Sequence, residues 1–460
     1  MDWKKAEEKL NFMDRLAGDK VVWIIVLFLC LISMVSLFSS TSQLATGANT
    51  RIDIIRTHLL TVAACLLAMT GIYKINNINV FKWCSKWGFL FSFGLLAFLD
   101  LHLSIGPVKA GEINHAWRVL TVGHFQIHVF EIVKVAMVMY LAWAIETYKK
   151  GEFKLLDKLS EIEHLEFLAE DKWKKILAIY IPILIICVAS LPGSNSNAVF
   201  IAAIMFLTIL IAGMPFKDVF LIGILVAMLF GCCVSLYFAS DKTMFKRVGT
   251  LVSRLQTGSD DEAKFINAKK GTKDYYDCLD KIRQPVGAKL AIKRGGLLGK
   301  GPGNSTQKYV VPVIYEDYIY SFIIEEYGLI GGIFVIFLYI SLLARGSIIS
   351  RHCDDYYAKC TVAGLCVMIT AQAMMHIMVN CDVGPLTGQT LPMISYGTSS
   401  FVCFSIAFGV ILSISRMATK KIEREAAKVD PLLVIGEDEV KSAMDDLNAY
   451  ETDELNENEL

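Results

Sequence analysis

An all-α polytopic membrane protein of about ten spans is the fold class this sequence predicts, and three observations predict it. The composition is 54% hydrophobic with a mean hydropathy of +0.49, too apolar for an ordinary soluble domain. Apolar runs of roughly 17–28 residues recur along the chain, each long enough to cross a bilayer as a helix. Lys and Arg gather in alternate connections between those runs, as they do in multi-span proteins.

Taken in order, the spans are Val21–Phe38, Leu59–Ile75, Trp87–Leu103, Val129–Ala144 and Ile176–Leu191, then Ala198–Met214, Val219–Ala239, Asp317–Ala344, Val362–Asn380 and Ser400–Ser415. The first follows a basic start but has no small-residue cleavage pattern, so it reads as a retained span rather than a signal peptide. Charged or polar residues intrude in the third and fourth. The N-terminus carries Lys4, Lys5, Lys9, Arg15 and Lys20. The connection after the fourth span carries Lys149, Lys150, Lys154, Lys158, Lys172, Lys174 and Lys175, and the segment after the last carries Lys420, Lys421 and Arg424. The short connections after the fifth and ninth spans hold no Lys or Arg. Both termini are therefore expected in the cytoplasm, with the long segment Ser240–Glu316 outside.

The resulting organisation is a cytoplasmic N-terminus over 1–20, seven spans over 21–239, a large extracytoplasmic loop over 240–316, three spans over 317–416, and a cytoplasmic tail over 417–460. Lys149–Lys175 mixes Lys and Glu with Leu and Phe at helical spacing and reads as an interfacial amphipathic helix. Beyond Pro431 the tail is acidic and nearly free of aromatics, a composition that cannot bury enough apolar area to fold alone. Lys+Arg and Asp+Glu balance at 45 each, which points to no nucleic-acid partner. Most of the 12 Cys sit in apolar runs without metal-ligand spacing.

The densest functional signal lies between Gly295 and Gly328. Gly295, Gly296, Gly299, Lys300, Gly301, Gly303 and Lys308 make a glycine-rich basic loop, and Glu316 and Asp317 open the apolar helix that follows. A carboxylate at the mouth of a span is expensive to keep, which makes Asp317 the first candidate for a general base. The bland alternative is a first-turn Asp that caps the helix. Glu325 and Glu326 lie about 12 Å deeper at ~1.5 Å per residue, on different faces of the same helix. The loop does not fit G-x-x-x-x-G-K-[ST], so a nucleotide site is not expected, although flexible N–H groups with Lys293, Arg294, Lys300 and Lys308 suit a pyrophosphate. Glu131 and Lys134 share a helical face and can pair, either as a structural ion pair or as the wall of a polar cavity, with Arg118 shortly before them. Gln372, His376 and Asn380 form a polar stripe on the ninth span. The following loop, Gly384 to Pro392, is rich in breakers and poor in charge, the composition of backbone that re-enters a protein or lines a cavity.

Three spaced motifs carry a resemblance. They are Gly299-Lys300-Gly301-Pro302-Gly303-Asn304-Ser305-Thr306-Gln307-Lys308 with Pro312, Asp317-Tyr318-Ile319-Tyr320 and Glu325-Glu326-Tyr327-Gly328; Pro385, Gly388 and Leu391-Pro392-Met393-Ile394-Ser395-Tyr396-Gly397; and Arg118, Gly123, Glu131 and Lys134. From roughly Gly18 to Arg416 the chain resembles the SEDS proteins (shape, elongation, division and sporulation), and is more similar to the FtsW division branch than to the RodA elongation branch. It departs from the family pattern at His128-Val129-Phe130, Gly193 to Asn197, Val313 to Glu316, His376 and Thr398.

The resemblance implies a glycosyltransferase of the bacterial inner membrane. Such an enzyme polymerises lipid II, the undecaprenyl-pyrophosphate-linked disaccharide-pentapeptide, at the division septum beside a class B penicillin-binding protein and other divisome proteins. It implies Asp317 as the catalytic residue and Arg118, Glu131, Lys134, Lys300, Ser305, Lys308, Thr387 and Ser395 as substrate-binding residues, Glu131 orienting Lys134. A divalent cation, Mg or Mn, is compatible with the carboxylate, but no ligand set is visible in the sequence. The rival readings are a lipid II flippase using Glu131, Lys134 and Glu325 as a polar path, and a non-catalytic divisome scaffold.

Overall fold

A computed structural model describes residues 17–41, 51–113, 116–123, 125–162, 164, 166–239, 266, 270, 272–384 and 387–429. Most of the expected N-terminus, the first part of the large loop and the acidic tail beyond residue 429 therefore lie outside the described residues.

The helices are α1 (Lys20–Ser40), α2 (Arg51–Tyr73), α3 (Ile78–Lys86), α4 (Gly88–Asp100), α5 (Val129–Lys150), α6 (Lys154–Ser160), α7 (Asp171–Ser190), α8 (Asn195–Ile211), α9 (Phe216–Ala239), α10 (Lys273–Gly295), α11 (Ile319–His352), α12 (Tyr356–Asn380) and α13 (Thr398–Val429). Among the described residues, α1, α2, α7, α11, α12 and α13 are long and apolar enough to cross a membrane, and α4 and α8 are shorter apolar helices. The other two expected spans fall on α5 and α9. The chain is a mostly helical polytopic membrane protein.

The core is built around α5 and α12, which are buried along most of their length. Small residues set the close approaches. A Cβ on Gly88 would lie 2.7 Å from the Ala136 carbonyl, and one on Gly364 would lie 2.7 Å from Val138. By contrast α2 buries one stripe, Ile54, His58, Val62, Cys65, Met69 and Tyr73, against α13 and turns the rest outward. In α7 the Pro182 ring cannot complete the ladder, and the Ala178 carbonyl four residues back accepts from Tyr140 Oη at 2.8 Å.

Several elements differ from the sequence expectation. Residues 104–128, expected as a loop, fold into a four-stranded antiparallel sheet in the order β1 (Ser104–Ile105), β2 (Val108–Ile113), β3 (Ala116–Val122), β4 (Phe125–His128). Tight turns at Gly106 and Gly123, both at positive φ, reverse the chain between strands. The third expected span, Trp87–Leu103, is the shorter helix α4, which begins just after Trp87 and ends at Asp100, and a separate helix α3 precedes it. The amphipathic segment Lys149–Lys175 is not one helix: Gly151 caps α5 in the left-handed region, α6 is short, and a 3₁₀ turn at Glu166–Ala169 leads into α7. The last helix runs past the expected boundary at 416 to Val429. Finally, part of the large loop is the helix α10.

One end of the bundle is tied by ion pairs. Asp19 caps α1 through Val21 N at 2.9 Å and Val22 N at 3.2 Å, and holds Arg345 of α11 at 2.5 Å. Arg345 is thus held by a buried carboxylate. Lys82 joins Glu146 at 2.7 Å and Asp355 at 2.6 Å, clamping α3 to α5 and to the start of α12.

Candidate active site

The opposite end of the bundle holds the polar residues. Lys134 is 1% exposed and points from α5 into α12 and the segment after it. Its ammonium reaches Glu131 Oε1 at 2.8 Å, Gln372 Oε1 at 2.5 Å and Gln389 Oε1 at 3.1 Å. Three acceptors match its three N–H donors, which is what makes a buried ammonium tolerable. Gln389 passes the link to Asn197 Oδ1 at 2.6 Å, at the start of α8. Gln372 Nε2 also donates to the Thr390 carbonyl at 3.1 Å, and His376 Nδ1 meets the Gln389 carbonyl at 2.8 Å. The breaker-rich loop therefore re-enters the protein, as its composition predicted, and irregular backbone there is satisfied by side chains of α5 and α12.

Asp317 lies at the edge of this network. Helix α11 begins at Ile319 with Tyr318 as its N-cap, so Asp317 stands just ahead of the helix. A Cβ on Gly388 would lie 3.8 Å from Asp317 Oδ1, which puts the re-entrant loop in contact with this carboxylate. Asn380 Nδ2 donates to the Asp317 carbonyl at 3.1 Å, while its Oδ1 accepts from Ser321 N at 2.9 Å and Ser321 Oγ at 2.8 Å. On the other side Ser395 Oγ donates to the Glu316 carbonyl at 2.7 Å and accepts from Leu391 N at 2.8 Å. The Asp317 backbone is thus fixed by α12 and by the re-entrant segment together.

Glu316 is pushed up to about 7, first by burial and then by the neighbouring Asp317 charge. Its folded-state value is raised above the ordinary carboxylate value of 4.5, so the native state binds more protons between the two values. Stability should fall as pH rises from about 4.5 to about 7, and the penalty should be fully present above that window. Glu316→Gln is expected to flatten this part of the thermal stability profile in detergent. An unchanged slope would mean that Glu316 is not the titrating group.

The glycine-rich loop forms a second cluster. Glu325 and Glu326 are both 0% exposed. Glu325 accepts from Lys300 Nζ at 2.7 Å, Ser305 Oγ at 2.5 Å, Thr306 N at 3.2 Å, Thr306 Oγ1 at 2.9 Å and Gln307 N at 3.2 Å. Glu326 accepts from Ser39 Oγ of α1 at 2.5 Å and Ser305 N at 3.3 Å. Lys308 Nζ donates to the Gly303 carbonyl at 2.6 Å, closing the loop on itself. Helix α11 breaks at Gly328 (φ 72°, ψ −176°), and the loop splices into the break. Lys300 N and Gly301 N donate to the Glu325 and Glu326 carbonyls, both at 2.9 Å, and Leu329 N donates to the Gly296 carbonyl at 2.9 Å. The backbone groups freed by the break are satisfied by the loop.

Glycine is required at this splice. A Cβ on Gly299 (φ 80°) would lie 2.3 Å from the Glu326 carbonyl, and one on Gly328 would lie 2.1 Å from the Leu297 carbonyl. Gly299→Ala is expected to release the loop and raise amide exchange over 300–308 by at least about tenfold, a loss of ~1.4 kcal/mol or more. Unchanged exchange would show that the loop is held elsewhere.

The sequence-selected residues therefore fall into two groups. Glu131, Lys134 and Ser395 belong with Asp317 around the re-entrant loop. Lys300, Ser305 and Lys308 belong to the Glu325–Glu326 cluster, where their hydrogen bonds hold the loop. These are bonds within the protein, made by residues expected to bind substrate. Arg118 donates from Nε to the Gly193 carbonyl at 3.0 Å and ties β3 to the turn before α8. The hydroxyl of Thr387 is buried without a partner among the described residues, next to Gly388. Sequence reasoning missed Gln389, Asn197 and Ser39 as members of these networks; the lone Gln in a loop of breakers was the available signal for the first. Among the described residues no three His, Cys, Asp or Glu side chains gather as a metal-binding group.

Residues 19–420, a range containing both clusters, match the cell cycle protein family model that unites FtsW, RodA and SpoVE. The chain belongs to this family. SEDS membership agrees with the motif resemblance across the whole helical part of the chain. A relative from Coxiella burnetii, named a probable peptidoglycan glycosyltransferase FtsW, is 27% identical over 357 residues, 76% of this chain and 83% of that protein. The fold is similar to a chain of a peptidoglycan synthase complex in which polymerization and crosslinking are coordinated, with a TM-score of 0.59 and 19% identity over 87% of this chain and 98% of that one. It is also similar to the rod shape determining protein RodA of Thermus thermophilus, with a TM-score of 0.52 and 18% identity over 87% of this chain and 97% of that one.

Proposed function

We propose that this SEDS protein is a peptidoglycan glycosyltransferase that polymerises lipid II during cell division, with Asp317 as general base. The observation that carries the reading is the contact between Asp317 and the re-entrant loop at Gly388, a loop that the buried Lys134 network holds in place. In the reaction the Asp317 carboxylate takes the proton of the acceptor hydroxyl. The hydroxyl oxygen bonds to the anomeric carbon of the donor sugar. The bond from that carbon to the pyrophosphate oxygen breaks, and its electron pair leaves on the pyrophosphate. Cationic groups near the departing oxygen lower the barrier.

The Lys and Arg distribution supports a topology with both termini cytoplasmic and Asp317 at the outer face. The likeness to a chain of a synthase complex supports a class B penicillin-binding protein as partner. A flippase would need Glu131, Lys134 and Glu325 along one path, whereas Glu325 is bonded into the loop cluster and Lys134 into the α5–α12 cluster. The test is glycan chain formation from lipid II by purified protein, alone and with its transpeptidase. Transfer of lipid II across vesicles without any glycan product would replace this reading with the transporter.

A further inference from the structure

Helix α10 is seated on its neighbours by small residues. A Cβ on Gly287 would lie 2.2 Å from Val311 Cγ2, one on Gly295 would lie 2.1 Å from the Ile324 carbonyl, and Ala288 and Ala291 are buried. That seating leaves Lys289 and Lys293, one helical turn apart, on the side facing the C-terminal end of α12. Between them and α12 lies a cavity of about 240 Å³ lined by Lys289, Ile292, Lys293, Asn380 and Cys381. Asn380 is the residue whose carboxamide holds the Asp317 carbonyl. The cavity is therefore one side chain away from the backbone of the proposed base, and its polar wall is cationic.

We propose that Lys289 and Lys293 form the subsite for the pyrophosphate of the polyprenyl-linked donor, an inference that rests on the polymerase reading above. Three observations support it. The cavity is smaller than the ~300–1,000 Å³ of pockets that enclose whole drug-sized ligands, so it suits a headgroup rather than a lipid-linked saccharide. Its charge is right for an anion that gains charge as the anomeric bond breaks. Its position suits the donor, since the leaving pyrophosphate is attached to the carbon under attack, whereas the acceptor's own pyrophosphate lies a disaccharide away from its reacting hydroxyl. Lys289 reaches Asp382 at 2.6 Å, with both side chains substantially exposed. Such a surface pair contributes little, so Lys289 can exchange Asp382 for a more highly charged ligand. Asp382 holds a left-handed backbone (φ 59°) at the turn closing α12.

The experiment measures binding and turnover side by side. Full-length protein in phosphatidylcholine nanodiscs is titrated with undecaprenyl pyrophosphate, undecaprenyl phosphate and undecaprenol. Lys289→Gln/Lys293→Gln should weaken pyrophosphate binding by about tenfold per lysine, or ~1.4 kcal/mol each, and leave undecaprenol binding unchanged. In polymerisation it should raise KM for lipid II and lower kcat, while the exposed control Lys109→Gln changes neither. The Arg pair should retain most of the binding, which separates lost charge from lost folding. Unchanged pyrophosphate binding in the Gln pair overturns the proposal. So does equal displacement of the ligand by phosphatidylglycerol, which would make this a general anionic-headgroup patch. Binding does not require turnover, so the two readings fail separately: a wild type that binds but never polymerises removes the polymerase and keeps the subsite.

Discussion

Asp317→Asn is expected to abolish lipid II polymerisation, with a loss of about 10²–10⁴-fold or more, while expression and membrane insertion stay normal. The substitution removes a proton acceptor and leaves the shape of the side chain nearly intact. It also leaves the backbone contacts that fix this position, the Asn380 bond to the Asp317 carbonyl at 3.1 Å and the Ser395 bond to the Glu316 carbonyl at 2.7 Å. Loss of activity would therefore report on the carboxylate and not on the loop. The assay is glycan chain formation by purified protein, with a thermal melt to show that the variant is folded. Near-normal turnover would end the general-base assignment.

The second large effect is expected at Lys134. Lys134→Met should strand the Glu131 carboxylate and the Gln372 and Gln389 carboxamides inside the protein, costing about 3–5 kcal/mol. The re-entrant loop would lose its anchor, and polymerisation should fall with the stability. Glu131→Gln/Lys134→Met should recover part of the lost stability, because the stranded charge is gone, but not the loop position or the activity. The measurement is the melting temperature of the wild type and both variants in one detergent, paired with turnover. A single variant as stable as wild type would show that Lys134 is not the keystone of the α5–α12 contact. Arg345 is a poor neutral control, since it holds the buried Asp19 at 2.5 Å and its own removal should destabilise the chain.

Asp317 was legible as a candidate because a carboxylate beside an apolar run is costly wherever the chain folds. The polar stripe Gln372, His376 and Asn380 was legible from its period of four, and the re-entrant loop from its breakers and lack of charge. The roles within the glycine-rich loop were not. A run of glycines predicts that backbone will come close to something, but Gly299 approaches the Glu326 carbonyl, and a break at Gly328 had to open first. Lys300 therefore looked like a ligand for an external anion, while the anion it meets in the structure is Glu325, which also accepts from Ser305. The small sheet over 104–128 escaped for a different reason: its strands are short and mixed in character, and only the Gly106 and Gly123 turns hint at hairpins.

Membrane class and the order of the apolar segments follow from composition and spacing, because transfer into a bilayer depends on local stretches of chain and not on their neighbours. Which acceptors surround Lys134, which carboxylate holds Lys300, and which carbonyl meets Arg118 were decided by tertiary structure alone. A buried polar group must find partners, but the partners lie 238 residues away for Gln372 and 255 for Gln389, and only the packing of α5, α12 and the loop brings them within reach.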